Sequence, residues 1–216
     1  MTIKRNIFTI VMLALTLVST FGAQAQESFP LPTTKHELLR MPLSLAAQHR
    51  KTDRNFQKEQ ISKEQLSDVL WMAYGFNRPK SNKRTVPSAR NVQEMDIYVM
   101  LEQGVYLYNA EKNMLEMVEG GDHRKEISKQ EHFATAPVAI IIVANYDRMK
   151  DFDNESRDFY SAVDCGYVSQ NIYMACSAMK LGTVACGAID REALTEILKV
   201  KNGKVMLAHP VGMIAQ

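Results

Sequence analysis

Three short clusters in the sequence contain residues suited to holding a ligand. The basic cluster, residues 50–56, places three cations and a hydroxyl within five positions: Arg50, Lys51, Thr52 and Arg54. Arginine and lysine donors together with a threonine hydroxyl can surround a phosphate group. A solvated basic loop would have the same composition, so the cluster alone leaves both interpretations open.

The amide cluster, residues 83–93, combines a stiff proline with small residues and two amides. Its candidate ligand-contacting residues are Pro87, Ser88, Ala89 and Asn91, followed by Gln93. Because each amide offers a donor and an acceptor, such a loop can lie against a flat polar ring. The alternative is an ordinary loop that precedes a strand.

The small-residue cluster, residues 182–187, is small at nearly every position. Small side chains allow a close approach of the backbone to a ligand, and glycines at both ends allow unusual dihedral angles. Ala185, Cys186 and Gly187 are therefore candidate contact residues. A helix C-cap followed by a core strand would explain the same pattern.

Most standard catalytic signatures are absent from the sequence. It contains no phosphate-binding P-loop, no G-x-G-x-x-G, no H-E-x-x-H, no C-x-x-C and no G-x-S-x-G. The five histidines form no pair at the spacing of three or four residues that would suit a metal on a helix, so we expect no metal site. Three cysteines follow residue 25, and we expect all three to be reduced.

The first 25 residues have the pattern of a secretory signal peptide. Lys4 and Arg5 form a basic start, residues 7–18 are mainly apolar, and Ala23-Gln24-Ala25 supplies the small residues of a cleavage site. The sequence therefore predicts an exported, periplasmic protein. It divides into the signal peptide (1–25), a short lead without regular structure (26–34) and one domain (35–216).

Charge and hydropathy exclude two classes of function for the mature chain. Removing the signal takes away two of the 26 basic residues and none of the 24 acidic ones, which leaves a formal net charge of zero. A nucleic-acid-binding protein that neutralises phosphates would carry a positive excess. No later apolar run approaches the roughly 18 residues of a membrane-spanning helix.

The elements that must position the three clusters follow from hydrophobic periodicity. The pattern indicates an α+β domain. It begins with helices, continues with a meander of short strands and ends with alternating helices and strands, and serine or aspartate residues cap several of the helices. The predicted helices are a bent or paired helix over 35–49, then 62–75, a short one after a Ser128/Glu131 capping box, 156–181 ending at Gly182, and 191–199. The predicted strands are 96–101, 105–109, 114–118, 138–144, 183–188 and 205–211, and 76–91 is predicted as a polar loop.

The clusters, taken in this order, resemble the FMN-dependent nitroreductase superfamily, in particular the branch that includes thiazoline and oxazoline dehydrogenases. That family opens with Arg-x-Ser/Thr-x-Arg/Lys-x-Phe and continues with Pro-Ser-x-x-Asn-x-Gln. The residues that match these two motifs are Arg50, Thr52, Arg54, Phe56, Pro87, Ser88, Asn91 and Gln93. In the branch, a Leu-Trp-x-Ala-x-Gly-x-Asn-Arg stretch precedes the second motif. This chain matches that stretch at Leu70, Trp71, Ala73, Gly75, Asn77 and Arg78.

The resemblance implies a three-layer α/β/α sandwich around a mostly antiparallel sheet, and a homodimer with FMN at the subunit interface. The basic cluster would bind the phosphate and ribityl end of FMN. Pro87, Ser88, Ala89 and Asn91 would contact the isoalloxazine from the partner subunit. Ala185, Cys186 and Gly187 would lie along the ring near its N5 edge. Tyr74, Phe76 and Arg78 lie where a substrate mouth is expected.

The implied chemistry is carried by the flavin, so no catalytic side chain is required. We expect an oxidoreductase that passes electrons through FMN to a small electrophile such as a nitroaromatic or a quinone. The alternatives are a flavin-dependent dehydrogenase or oxidase of a peptide-derived or other small substrate, and a flavin-binding protein without turnover.

Overall fold

The computed structural model describes residues 27–215, and these form an α/β/α sandwich. A central sheet of seven strands has the order β1-β6-β5-β4-β7-β9-β8, and every neighbouring pair in it is antiparallel. Strands β2 and β3 form a separate hairpin. The strands are β1 (Phe29–Pro30), β2 (Phe76–Arg78), β3 (Lys83–Arg84), β4 (Met95–Leu101), β5 (Gly104–Asn109), β6 (Met114–Gly120), β7 (Val138–Asn145), β8 (Leu181–Thr183) and β9 (Gly203–Met213).

Five α-helices cover the sheet within these residues. Helix α4 is the longest and packs against α1, α2 and β8. The helices are α1 (Leu43–His49), α2 (Lys63–Tyr74), α3 (His132–Thr135), α4 (Asn154–Ala178) and α5 (Arg191–Ile197). No helix within residues 27–215 is long and apolar enough to cross a membrane.

Strand β7 separates two hydrophobic cores. Ile140 and Ile142 face a core shared with α2 and α4, whereas Ile141 and Val143 face a core shared with α3 and α5. This division follows from the two-residue period of a strand, since every residue of β7 except its last is buried. The predicted three-layer α+β architecture is therefore confirmed.

Local sequence signals explain where several helices begin. Ser62 accepts a hydrogen bond from the Gln65 amide, and the Gln65 side chain accepts one from the Ser62 amide, so the predicted capping box of α2 is present. Asp153 caps α4 and Asp190 caps α5 in the same way, through their carboxylates.

The predicted second capping box is wrong. Helix α3 begins at His132 with Glu131 as its N-cap residue, and no side chain caps it. The Ser128 hydroxyl instead donates to the carbonyl of Ala188, 3.0 Å away. The same hydroxyl accepts from the Gln130 amide at 3.3 Å, not from the Glu131 amide that a capping box requires, because the helix begins later than predicted.

Three further predictions on secondary structure need correction. Helix α4 ends at Ala178, Lys180 takes the left-handed conformation, and Gly182 lies inside β8 instead of ending the helix. The predicted polar loop 76–91 contains the β2–β3 hairpin. The part of the lead that the structure describes is not irregular throughout, because β1 pairs with β6 at the sheet edge. The predicted signal peptide lies outside the described residues.

Large apolar side chains remain exposed on α1 and α4. Leu43 is 75% exposed and Phe159 is 62% exposed, and Leu45, Tyr160 and Tyr167 are also classed as exposed. Contiguous apolar patches on a protein surface often mark contacts with another protein. The three cysteines are free, as predicted, and all three are buried.

Candidate functional site

Tyr173 on α4 joins the basic cluster to the small-residue cluster. Its hydroxyl accepts a hydrogen bond from the Ala185 amide at 2.9 Å and lies 3.1 Å from the Thr52 hydroxyl. The guanidinium of Arg50 lies over its ring at 5.2 Å. Two clusters that are more than 120 residues apart in sequence therefore meet on one side chain.

Backbone contacts hold the same two segments together. The Asp53 amide donates to the Thr183 carbonyl at 3.0 Å, and Phe56 forms a β-bridge with Ile214. A Cβ atom at Gly182 would lie 3.0 Å from the Asp53 Cβ and 3.1 Å from the Phe56 ring. Gly182 is thus small because the basic cluster packs on it.

A buried histidine supports this junction from behind. His209 on β9 is fully buried, with its Nε2 2.8 Å from the Ser169 hydroxyl and its Nδ1 3.1 Å from the Thr183 hydroxyl. Burial lowers the pKa of His209 to about 3, so the ring is neutral. Its ring meets Tyr173 edge to face at 5.5 Å. No sequence pattern predicts this support, because the histidine, the serine and the threonine lie on three separate elements.

The cations of the basic cluster differ in how far they are already engaged. Lys51 forms an ion pair with Asp53 at 3.1 Å. Arg54 is exposed and forms no ion pair within residues 27–215, and Arg50 has only its contact with the Tyr173 ring. The two arginines are therefore the side chains best able to bind an added anion.

A cavity of about 260 Å³ lies beside this junction. It is lined by parts of the basic cluster, α4 and β8, among them Lys51, Tyr173, Lys180 and Thr183. Pockets that enclose a drug-sized ligand usually exceed about 300 Å³. This cavity has room for one end of a nucleotide-sized molecule but not for all of it, and neither Arg50 nor Arg54 lines it.

Cys186 lies next to a histidine but is not an activated thiol. It pairs with Ala208 as an isolated β-bridge, and its sulfur lies 3.4 Å from His132 Nε2. Burial raises the pKa of Cys186, and burial, with Arg54 nearby, lowers the pKa of His132. Both groups are therefore neutral, and Cys186 serves as a small residue of the strand-like segment.

The amide cluster is a loop with an unusual backbone. Arg90, Asn91 and Gln93 have φ values of 51°, 58° and 53°, which non-glycine residues rarely adopt. The Ala89 amide donates to the Asp164 carboxylate at 2.8 Å, and the Gln93 amide donates to the Ser88 hydroxyl at 3.0 Å. These bonds hold a strained loop in one shape.

The two amide side chains of this loop have different tasks. Gln93 accepts from Arg84 Nε at 2.8 Å and donates to the Asn82 carbonyl at 2.6 Å, so it is engaged within the protein. Asn91 is exposed, and the only hydrogen bond of its side chain within residues 27–215 is a long one of 3.4 Å from Gln93. Of the two, Asn91 remains able to bind a ligand, as do Pro87 and the half-buried Ser88.

A pair of buried carboxyl groups lies under the amide cluster. Glu94 and Asp164 interact, and neither oxygen of Glu94 has a hydrogen-bond donor within residues 27–215. Glu94 is fully buried and Asp164 is 3% exposed. Burial and, after it, the Asp164 carboxyl raise the pKa of Glu94 to about 7. The raised pKa favours the protonated, neutral form of Glu94 in this buried position.

Helix α4 separates the amide cluster from the other two clusters. Asp164 contacts the amide cluster, whereas Tyr173, nine residues later, contacts the basic and small-residue clusters. At 1.5 Å per residue this separation is about 14 Å. One chain therefore brings together two of the three predicted clusters and not the third.

The residues predicted for the substrate mouth do not share one environment. Tyr74 is 4% exposed, and its hydroxyl accepts from the Met95 amide, so it is a core residue. Phe76 is half-buried, and Arg84 stacks on both aromatic rings. Arg78 is exposed on the β2–β3 hairpin. No group of three or more His, Cys, Asp or Glu side chains within residues 27–215 could hold a metal.

Comparisons with known proteins agree with this architecture. The sequence model of the nitroreductase family matches residues 47–213. A protein of Methanocaldococcus jannaschii provisionally named a nitroreductase is 32% identical over 173 residues, which cover 76% of this chain and 86% of that protein.

Solved structures extend the similarity to the fold. A provisionally named nitroreductase of Ralstonia eutropha JMP134 superimposes with a TM-score of 0.83 and 30% identity, covering 89% of this chain and 92% of that one. A chain of the Escherichia coli microcin synthetase complex has a TM-score of 0.70 at 14% identity, covering 98% and 85% of the two chains. At that identity the likeness concerns the fold alone.

Proposed function

Because the chain belongs to the nitroreductase family of oxidoreductases, we propose that it binds FMN and passes electrons through it to a small electrophile. The observation that carries this proposal is the junction at Tyr173. It brings Arg50 and Arg54, neither of which forms an ion pair within residues 27–215, beside a segment of small residues whose backbone a ligand can approach. FMN supplies the redox chemistry when it is bound, since no side chain of this site can exchange electrons reversibly.

The residues at the junction fit the two ends of FMN. Arg50 and Arg54, with the Thr52 hydroxyl, would hold the phosphate, because guanidinium groups bind phosphate through several parallel hydrogen bonds. Ala185 and Gly187 would lie beside the isoalloxazine. The backbone there is fixed by Tyr173 and by the Cys186–Ala208 bridge, so the ring would meet a rigid surface.

We further propose a homodimer in which the amide cluster of the partner completes each site. Two observations support it: the amide cluster lies about 14 Å along α4 from the junction, and large apolar side chains are exposed on α1 and α4. Asn91 and Ser88 would then contact the isoalloxazine from the second copy. Sedimentation of the FMN-loaded protein as a single subunit would contradict this arrangement.

Retention of FMN tests the cofactor assignment. The protein, purified in excess FMN and then desalted, is expected to keep a flavin absorption spectrum at about one flavin per subunit. Riboflavin is the matched control ligand because it lacks the phosphate, and we expect most of it to be lost. If the desalted protein is folded and colourless, FMN is not its cofactor.

Anaerobic reoxidation tests the reaction. The FMN-loaded protein, reduced chemically without oxygen, is expected to recover its oxidised spectrum on addition of a quinone or a nitroaromatic compound. If neither compound restores the spectrum and oxygen does, the alternative of a dehydrogenase or oxidase becomes the better description. If FMN binds and cannot be reduced, the protein is a flavin-binding protein without turnover.

Export is a separate part of the proposal. Its support is the pattern of residues 1–25, with a basic start, an apolar run and a cleavage site. We expect the protein recovered from cells to begin at Gln26, which an intact-mass measurement would show. An N-terminus at Met1 in the recovered protein would contradict the proposed periplasmic location.

A further inference from the structure

A second cavity, of about 450 Å³, lies toward the other edge of the sheet. Its walls come from the segment before α1, from α2, from the β2–β3 hairpin and from the turn between β5 and β6. Strand β5 is four strands away from β8, which corresponds to about 19 Å at the usual strand spacing. The cavity is thus separate from the Tyr173 junction in the same chain.

One wall of this cavity carries a histidine held by a buried carboxylate. His36 Nδ1 lies 2.8 Å from Asp68 Oδ1, and the Thr34 hydroxyl donates to the same oxygen. Asp68 is fully buried, and its Oδ2 has no hydrogen-bond partner within residues 27–215. Asp68 accepts a hydrogen bond from Nδ1 of His36. The other ring nitrogen of His36, Nε2, has no hydrogen bond within the same residues and is therefore available to a ligand.

The backbone conformation of His36 is strained, and such strain often occurs at functional sites. Its φ of 55° lies in the left-handed region, where a non-glycine residue is strained. Its ring stacks on Trp71, with centroids 3.7 Å apart and an interplanar angle of 20°. Stacking and the bond to Asp68 together fix the imidazole at the cavity wall, with 35% of the side chain exposed.

The charge of the cavity is negative in either protonation state of His36. Glu111 lines the cavity from an exposed position, and Asp68 lies behind His36. Two carboxylates against one imidazole sum to a negative charge, and no lysine or arginine lines the cavity. Arg84 lines a neighbouring cleft, where it stacks on Phe76. Lys112, next to Glu111 in the turn, is paired with Glu116 at 3.5 Å.

We propose that this cavity is a binding site for a flat aromatic ligand that carries amidinium or amino N–H donors. Phe76 and Tyr108 contribute aromatic rings to the lining, and aromatic rings attract flat cations, as the stacking of Arg84 on Phe76 illustrates. His36 and Glu111 provide the acceptors, and the negative charge selects against anions. The proposal does not rest on flavin binding, so it stands or falls separately from the proposed function.

Benzamidine is a probe with these properties, and benzoate is its anionic counterpart of nearly the same shape. Trp71 is the only tryptophan of the chain and lines the cavity, so its fluorescence reports on this site. Benzamidine is expected to change the fluorescence saturably, with a Kd on the order of 1 mM. Benzoate is expected to have no saturable effect, with or without added FMN.

Two variants identify the acceptors. His36→Asn preserves the left-handed backbone, which asparagine tolerates, and Glu111→Gln removes only a charge at an exposed turn. Each is expected to raise the Kd of benzamidine about tenfold. Glu192→Gln, an exposed position on α5, is the matched control and should leave the Kd unchanged. The proposal is overturned if benzamidine gives no saturable change, if benzoate binds equally well, or if both acceptor variants keep the wild-type Kd.

Discussion

Replacing Arg50 and Arg54 together by alanine is expected to weaken FMN binding by a factor on the order of 100 or more, with little loss of stability. A hydrogen bond to a charged group contributes about 1.5–3 kcal/mol, and two such contacts are removed. Neither arginine forms an ion pair within residues 27–215, so their loss leaves no buried charge without a partner.

Lys51→Ala is expected to have a smaller effect on the affinity for FMN than the double arginine variant. Lys51 already interacts with Asp53 at 3.1 Å, so part of its charge is neutralised before a phosphate arrives. Its ammonium group also lacks the planar fork with which arginine binds two phosphate oxygens at once. The difference between the variants therefore reports on which cations hold the phosphate.

The affinity is measured by titration of the flavin-free protein with FMN, and stability by urea unfolding of the same samples. Lys125→Ala with Lys201→Ala is the matched control, since both lysines are exposed and lie outside the three clusters. Retention of full FMN affinity by the double arginine variant would show that the phosphate binds elsewhere. Equal losses of affinity in the control would indicate a general charge effect.

Replacing Glu94 by glutamine is expected to stabilise the protein above neutral pH. Burial, with Asp164 as a further cause, raises the pKa of Glu94 to about 7, so the folded state holds a proton that the unfolded state has released. The free energy of unfolding therefore falls as the pH rises from the ordinary glutamate value to about 7. Glutamine stays neutral and can donate to Asp164, so this loss disappears.

The expected gain is on the order of 1–3 kcal/mol at about pH 8, and it vanishes at about pH 4. Urea unfolding across this range gives the free energy of unfolding directly. Glu192→Gln, an exposed glutamate, is the control and should follow the wild-type curve. A Glu94→Gln protein that is no more stable than wild type at about pH 8 would show that Glu94 does not hold the extra proton.

His209 also contributes to the pH dependence of the stability of Glu94→Gln. Burial lowers the pKa of His209 to about 3, so the folded state binds fewer protons there than the unfolded state does. The free energy of unfolding therefore falls as the pH drops below the ordinary histidine value. In the wild type this trend opposes that of Glu94 between about pH 4.5 and 6.5. In Glu94→Gln the histidine trend remains alone, and we expect a steeper loss of stability toward acid.

Two features of the fold were predicted correctly from patterns that involve only neighbouring residues. The capping box of α2 needs only Ser62 and Gln65, three residues apart, and the structure contains it. The meander followed from short apolar runs separated by turns, and it forms β4, β5 and β6. Each of these features depends on contacts along the chain, which the sequence displays directly.

Features that depend on a residue distant in sequence could not be predicted from local patterns. Ser128 has the spacing of a helix cap, yet its hydroxyl donates to Ala188. Gly182 has the position of a helix terminator, yet it lies within β8 because Asp53 and Phe56 pack against it. In both cases the structure contains a contact with a residue distant in sequence, which the local pattern does not reveal.

The sequence by itself determined the α+β class, the approximate positions of most helices and strands and the resemblance to the nitroreductase family. It also supplied the three clusters, because residue type and spacing are properties of the chain. Only the tertiary structure decided which clusters meet. Tyr173 joins two of them, α4 keeps the amide cluster apart, and Glu94 and Asp164 share a buried environment. Burial and long-range contacts set pKa values and ligand geometry, and both arise only when distant segments pack together.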